Sequence, residues 1–261
     1  MSTIQSDLNI ESLRRALAGR VIGAKIHHHE LLDSTMDETK RLAAQGAPEG
    51  TVVIAEEQTA GRGRFNRVWI SPKGQNLSFS LLLKPHIDLL PQVNMAATLA
   101  VANTIEGVGL VPTIKWPNDV RIGGLKTSGI LIENDIVGEG VSHCVLGIGV
   151  NVNFDPSKHP EIAQISTSLF RETGKAFDRT DVLTRLLISL DDLYAELRRG
   201  VSLTSRWSDY LDTLGKTVQL KWREEVVEGV AEAADDQGDL LIRLGDGSLF
   251  TAIAGEVTLQ M

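Results

Sequence analysis

Two apolar runs, Thr51 to Glu57 and Leu77 to Leu83, read as buried strands, and the 18 residues between them, Gln58 to Gln75, follow neither a helical nor a strand period. An irregular connection of that length inside a folded domain is usually functional or disordered. This one is glycine-rich and basic: Gly61-Arg62-Gly63-Arg64-Phe65-Asn66-Arg67-Val68-Trp69, with Lys73 close behind. Glycine lets the main chain approach a ligand closely. Arginine presents a forked donor that matches carboxylate and phosphate oxygens. The segment reads as an anion-binding loop with Trp69 as an apolar wall, or as a solvated basic turn.

That local charge runs against the rest of the chain. Across 261 residues, 34 Asp and Glu outnumber 26 Lys and Arg, a net charge of -8. Such a balance opposes nucleic-acid binding, which rests on neutralising phosphates, and at 5% aromatic residues few rings are available to stack on RNA bases. Hydrophobic residues at 42% and charged residues at 23% describe a folded, water-soluble protein. The longest uncharged stretch, Leu89 to Ile105, is interrupted by Pro91, Gln92, Asn94 and Asn103 and is no bilayer span. The first ten residues lack the pattern of a secretion signal. A single cysteine, Cys144, can form neither an internal disulfide nor a cysteine-based zinc site. A cytoplasmic location is expected.

Periodicity predicts helices at about 10–18, from a capping box Thr35-x-x-Glu38 to Gly46, from Pro91 to Glu106, and at about 181–199 and 203–211. Strands are expected at 25–32, 51–57, 77–83, 113–116, 125–133 and 143–152. From Gly215 the texture changes to short strands separated by turns such as Asp236-Gln237-Gly238 and Gly245-Asp246-Gly247, the pattern of a small β-barrel. The expected organisation is an α/β (α+β) domain over 1–212 and a β domain over 213–261.

Nucleotide-binding signatures fail. Gly215-Lys216-Thr217 has Tyr210 where a phosphate loop needs glycine, and Gly147-x-Gly149 runs into Asn151. Lys115-Trp116-Pro117-Asn118-Asp119 gathers a cation, a ring, an amide and a carboxylate at a strand end, either for chemistry or as an ordinary turn. Lys126 opens an apolar strand, so its ammonium snorkels to water or meets an anion. Ser34 and Thr35 serve as helix caps or as ligand donors. His27 and His29 share a strand face without a third ligand nearby, and Cys144 reads as a core residue.

The order of these pieces is specific. Asp33-Ser34-Thr35, Glu57-Gln58-Thr59-Ala60-Gly61-Arg62-Gly63-Arg64 with Arg67 and Trp69, Lys115-Trp116-Pro117-Asn118-Asp119, Lys126-x-x-Gly129-Ile130-Leu131 and Gly147-Ile148-Gly149-Val150-Asn151 together resemble the biotin–protein ligases. The resemblance implies a catalytic domain like that of class II aminoacyl-tRNA synthetases and a C-terminal SH3-like barrel. It implies that ATP, with Mg²⁺, activates biotin to biotinyl-5′-AMP, and that the biotinyl group passes to a lysine of a carrier protein such as that of acetyl-CoA carboxylase. By the same resemblance Ser34, Thr35, Met36, Gln58, Arg62, Gly63, Arg64, Lys126 and Gly129 bind biotin. Arg64, Trp69, Lys115, Asn118, Asn151 and Lys126 bind ATP, and Lys126 and Arg64 are catalytic; Asp119, as the carboxylate of the Lys115–Asp119 cluster, joins the catalytic set as a candidate proton acceptor or orienter for the acceptor amine. No metal ligands are assigned.

Met36 stands where the family usually has Asn. Only 32 residues precede Asp33, too few for the DNA-binding domain of some relatives, so no DNA binding is expected; the resemblance leaves room for a homodimer. The rival readings are a lipoate or other acyl-adenylate ligase, opposed by the arginine loop and the β domain, and a non-enzymatic biotin sensor, opposed by retention of Lys126 and Asp119.

Overall fold

In the central strands, alternation sorts large side chains onto one face of the sheet and small ones onto the other. The computed structural model describes residues 8–138, 140–222, 225–253 and 255–259. Seven strands form one mixed sheet in the order β1-β2-β3-β7-β6-β5-β4. Here β1 is Lys25–Leu32, β2 Thr51–Gln58, β3 Leu77–Leu83, β4 Pro112–Lys115, β5 Asp119–Ile122, β6 Leu125–Val137 and β7 Gly140–Val150. Within this sheet β1 and β2, linked through helix α2, pair in parallel and the other described neighbours pair antiparallel.

One face carries Val52, Ile54, Phe79, Leu81, Leu146 and Ile148 into the main core. There α3 (Leu90–Glu106) and α5 (Arg179–Arg198) pack against each other, and α1 (Ile10–Ala16) lies against α5. Each such aliphatic side chain, fully buried, stabilises the fold by roughly 1.5–3 kcal/mol. The other face is lined by two cross-strand rows, Val53-Ser80-Gly147-Leu131 and Ala55-Ser78-Gly149-Gly129. Helix α2 (Thr35–Ala44) covers β2, β3 and part of β7 on that side.

Short helices α4 (Leu169–Thr173) and α6 (Thr204–Tyr210) lead to a second antiparallel sheet, β11-β10-β9-β8-β12. Its strands are β8 (Thr217–Trp222), β9 (Glu225–Ala234), β10 (Leu240–Arg243), β11 (Leu249–Ala252) and β12 (Glu256–Leu259). Trp116 fastens the two sheets together: its backbone N–H donates to Thr213 Oγ1 at 3.1 Å and its indole to the Gly238 carbonyl at 2.8 Å. Val218, Leu220, Leu240 and Ile242 join the main core. Among the described residues no helix is long and apolar enough to cross a membrane. Cys144 is fully buried, and that burial pushes its thiol up to about 12.

The mixed α/β architecture and the β-rich C-terminal part follow the sequence reading. Two strands escaped it, β5 and β12, each of only 4 residues. The capping box is not formed. Ser34 is the N-cap and makes no cap bond with its side chain, while Glu38 accepts from Arg41 instead. The reason is Thr35: its backbone N–H and its hydroxyl are both taken by Gln58 Oε1, at 2.8 and 3.2 Å.

A buried ion pair ties the main sheet to α5. Arg179 Nη2 lies 2.7 Å from Glu56 Oε2, and Nη1 donates to the Asn76 carbonyl at 3.1 Å. Glu56 Oε1 also meets His28 Nε2 at 2.9 Å. The guanidinium therefore joins the end of β2 to the residue just before β3, the two roots of the arginine loop. Removing one member of a buried pair strands the other charge, so Arg179→Ala should lower the unfolding free energy by about 3–5 kcal/mol in chemical denaturation. A loss below about 1 kcal/mol, the range of an exposed pair, would show that burial does not make this contact important.

Candidate active site

A cavity of about 460 Å³ opens on the small-residue face, and all fourteen residues singled out from the sequence line it. It is walled by the start of α2, the arginine loop, the β4–β5 hairpin and the first residues of β12. Its lining includes six cations (Arg62, Arg64, Arg67, Lys115, Arg121, Lys126) and two carboxylates, Asp119 and Glu256. In a chain of net charge -8, this is a concentrated positive site that will attract anions.

One end is neutral. Gln58 Oε1 is occupied by Thr35, which leaves the amide's Nε2 as its donor end, and Thr35 Oγ1 also lies 2.7 Å from Ser80 Oγ. Ser34 and Met36 complete this wall. Gly147 makes room for Met36: a Cβ there would come within 2.8 Å of its sulfur. Gly149 makes room for Trp69 in the same way, since a Cβ would sit 2.3 Å from the indole. Both glycines belong to the Gly-x-Gly pattern that failed as a nucleotide signature. Their purpose is space on alternate positions of a strand.

The arginine segment is more ordered than its sequence suggests. Arg62 and Val68 form an antiparallel bridge, Trp69 N–H donates to the Gly61 carbonyl at 2.9 Å, and Gly63 N–H to the Arg67 carbonyl at 2.7 Å. At the tip Phe65 adopts φ 56°, a left-handed conformation that is strained for a bulky side chain. This turn sends the three guanidinium groups in different directions. Arg62 meets Asp37 at 2.6 Å and Glu133 at 3.7 Å on the outer rim. Arg67 pairs with Glu256 of β12. Arg64 donates to Asn118 Oδ1 at 2.9 Å and to the Gly255 carbonyl at 3.1 Å. Burial pulls the Arg64 guanidinium below its ordinary value, opposed by Asp119 and Glu256.

Lys126 Nζ lies 2.7 Å from Asp119 Oδ1, above Gly129, where a Cβ would sit 3.1 Å from the ammonium. Asp119 is thus a partner of Lys126 rather than a free carboxylate. Asn118 and Asn151 line the cavity with their amides already engaged. Asn118 Nδ2 donates to the Ile130 carbonyl at 2.6 Å, and Asn151 bridges Asn76 and the Thr167 carbonyl, both at 3.0 Å. Lys115 is partly buried; desolvation, with Arg121 nearby, lowers its pKa against the pull of Asp119, Glu256 and Asp212. Among the described residues no group of three His, Cys, Asp or Glu side chains is arranged to hold a metal ion.

Sequence reasoning missed Arg121 and Glu256. Arg121 had a usable signal, since it lies two residues beyond Asp119 and shares its strand face. Glu256 had none, because only the packing of the second sheet brings it to the cavity.

Known proteins resemble the chain along most of its length. Residues 29–151 match the model of the Biotin/lipoate A/B protein ligase family, and residues 213–259 match the Biotin protein ligase C terminal domain. The bifunctional ligase/repressor BirA of Bacillus subtilis is 37% identical over 246 residues, 92% of this chain and 76% of the relative. The biotin--[acetyl-CoA-carboxylase] ligase of Mycobacterium tuberculosis is 33% identical over 260 residues, 93% of this chain and 94% of the relative. A solved structure of the Aquifex aeolicus biotin protein ligase in complex with biotin and ATP superposes with a TM-score of 0.78 at 29% identity, covering 91% of this chain and 99% of that one. With both family models matched in this order and these identities sustained over most of its length, the chain belongs to the biotin protein ligases of the biotin/lipoate ligase family.

Proposed function

We propose that the protein joins biotin to a carrier-protein lysine in two steps, through biotinyl-5′-AMP. The observation that carries this reading is one cavity with a neutral, hydroxyl- and amide-lined end and a cationic end. Biotin has the matching shape: an uncharged ureido head, an apolar chain and a carboxylate. Ser34, Thr35 and Gln58 suit the head, Met36 and Trp69 over the glycine floor suit the ring and chain, and Arg64 and Lys126 suit the carboxylate. The relatives named biotin--[acetyl-CoA-carboxylase] ligase support a carboxyl carrier protein as the acceptor.

In the first step a biotin carboxylate oxygen attacks the α-phosphorus of ATP, the Pα–O bond to the β-phosphate breaks, and pyrophosphate leaves with the electron pair. Two anions must meet, so preplaced positive charge and positioning supply the acceleration. Arg64 fits this demand because both its acceptors, an amide oxygen and a carbonyl, are neutral and leave its charge uncancelled. Asp119 holds Lys126 over Gly129 and acts as a positioning residue. Mg²⁺ uses few protein carboxylates when it accompanies phosphates; with Asp119 paired to Lys126 and Glu256 to Arg67, phosphate oxygens would supply most of its ligands, and the ion would neutralise phosphate charge. In the second step the acceptor amine attacks the anhydride carbonyl carbon, AMP departs, and the amine loses a proton. A free lysine is only about 0.04% neutral at pH 7, so desolvation at the cavity mouth would assist. The reducing cytoplasm suits a chain whose single cysteine is buried.

Biotin-dependent release of pyrophosphate from ATP, followed by labelling of a carrier-domain lysine, tests the reading; release that is independent of biotin contradicts it. Lys126→Ala should fold normally by circular dichroism and slow biotinyl-AMP formation about ten- to a hundredfold, the worth of one charge-assisted hydrogen bond at the transition state. Asp119→Asn should slow both steps together. A defect confined to transfer from preformed biotinyl-AMP would instead mark Asp119 as the base for the acceptor amine. Gly149→Ala forces the Trp69 ring off the floor and should raise the biotin KM at least about tenfold; an unchanged KM would remove that floor from the biotin site.

A further inference from the structure

Four charged side chains of alternating sign close a ring on the rim of the cavity. Arg62 Nη2 lies 2.6 Å from Asp37 Oδ1 and 3.7 Å from Glu133 Oε1. Lys40 Nζ meets Glu133 Oε2 and lies 3.9 Å from the same Asp37 oxygen. The ring runs Arg62, Asp37, Lys40, Glu133 and back to Arg62, so its charges sum to zero. Its members come from three elements, the arginine loop, α2 and β6. All four side chains are partly exposed. A single ion pair in such a place contributes little, whereas a network whose members are shared holds its geometry better.

The ring acts on a loop that its own bonds do not seat. The Arg62–Val68 bridge and the hydrogen bonds from Trp69 N–H to the Gly61 carbonyl and from Gly63 N–H to the Arg67 carbonyl make it a small hairpin. They hold the hairpin together without fixing where it lies. Polar contacts on two flanks do that. On one flank Arg64 and Arg67 reach Asn118, Gly255 and Glu256. On the other, Arg62 enters the charged ring. This second flank borders the neutral end of the cavity. Asp37 follows Met36 in α2, and Gly61 passes so close to Gln58 that a Cβ would lie 3.2 Å from its Nε2. With Asp37 and Glu133 offsetting its charge, Arg62 is poorly suited to stabilise developing negative charge and well suited to anchor the loop.

Resting on the ligase reading above, we propose that Asp37 and Glu133 are positioning residues that act through Arg62. With Lys40 between them they form a clasp that keeps the loop seated over the biotin end and slows escape of biotin and of its adenylate between the two steps. A mixed anhydride set free in water hydrolyses, so retention preserves it for transfer. The reacting oxygens belong to Arg64 and Lys126, and neither clasp carboxylate takes part in a covalent step. The clasp therefore governs dissociation and leaves the rate of adenylation alone.

Chase of labelled biotin from the full chain with excess unlabelled biotin tests this directly. Asp37→Asn and Glu133→Gln should each speed release about three- to fivefold, the effect of one partly exposed pair, and Asp37→Glu should restore most of the wild-type rate. Both carboxylates act on one guanidinium, so the double variant should fall short of the product of the two single effects. Raising NaCl from about 0.1 to about 1 M shortens the screening length from about 10 to about 3 Å. That change should speed release from the wild type and leave the double variant nearly unaffected. The single-turnover rate of adenylate formation, at saturating biotin and ATP, should change less than about twofold in every variant. Unchanged release in Asp37→Asn, single effects that multiply in full, or an equal salt response in wild type and double variant would overturn the clasp. So would an adenylation rate that falls in step with the rise in release. Wild-type protein that retains biotin through the clasp but forms no adenylate would instead refute the ligase reading and leave the clasp standing.

Discussion

The site exists because four strands leave one face of the sheet unfilled. The core face of β2, β3 and β7 packs Val, Ile, Leu and Phe to interior density. On the other face Ala55, Ser78, Gly149 and Gly129 stand in one row, and Ser80 and Gly147 interrupt the next. A β-carbon at either Gly147 or Gly149 would occupy the space now held by Met36 or Trp69. Every polar group of the site is arranged around that volume.

Holding six cations around it requires local solutions. Arg64 is held by an amide oxygen and a carbonyl, neutral groups that leave its charge uncancelled, whereas Lys126 is held by the Asp119 carboxylate. The amides of Asn118 and Asn151 serve as scaffold. Asn118 fixes Arg64 to the edge of β6, and Asn151 joins β7 to the chain before β3 and to the 160s segment. The second sheet contributes through Gly255 and Glu256, so two arginines of the loop depend on its seating. Preorganisation of this kind is what electrostatic catalysis needs, since donors already in place do not have to reorient during the reaction.

Much of this was legible in the sequence because the relevant signals are local. Strand and helix periods gave the mixed α/β body, the change of texture at Gly215 gave the β-rich end, and the spacing of five motifs gave the cavity lining. What escaped was non-local. The hydroxyl of Thr35 looked like a helix cap because its partner, Gln58, lies 23 residues away on another strand. The loop looked irregular because the Arg62–Val68 bridge needs only two residues of strand-like pairing. Nothing local announced the partners of Arg62, which lines the cavity and whose guanidinium meets Asp37 and Glu133, both distant in sequence, at its rim. Arg121 is the exception, a local signal two residues beyond Asp119 on the same face of a strand of 4 residues.

The central claim is that cations from separate segments converge on one pair of reacting oxygens, with a neutral pocket beyond them. A crystal structure of the protein with biotinyl-5′-AMP measures this most directly. The account predicts the adenylate phosphate within hydrogen-bond distance of both Arg64 and Lys126, and the ureido head beside Ser34, Thr35 and Gln58 over the Gly147–Gly149 floor. An adenylate bound with its phosphate contacting neither cation, or with its head outside that pocket, would contradict it.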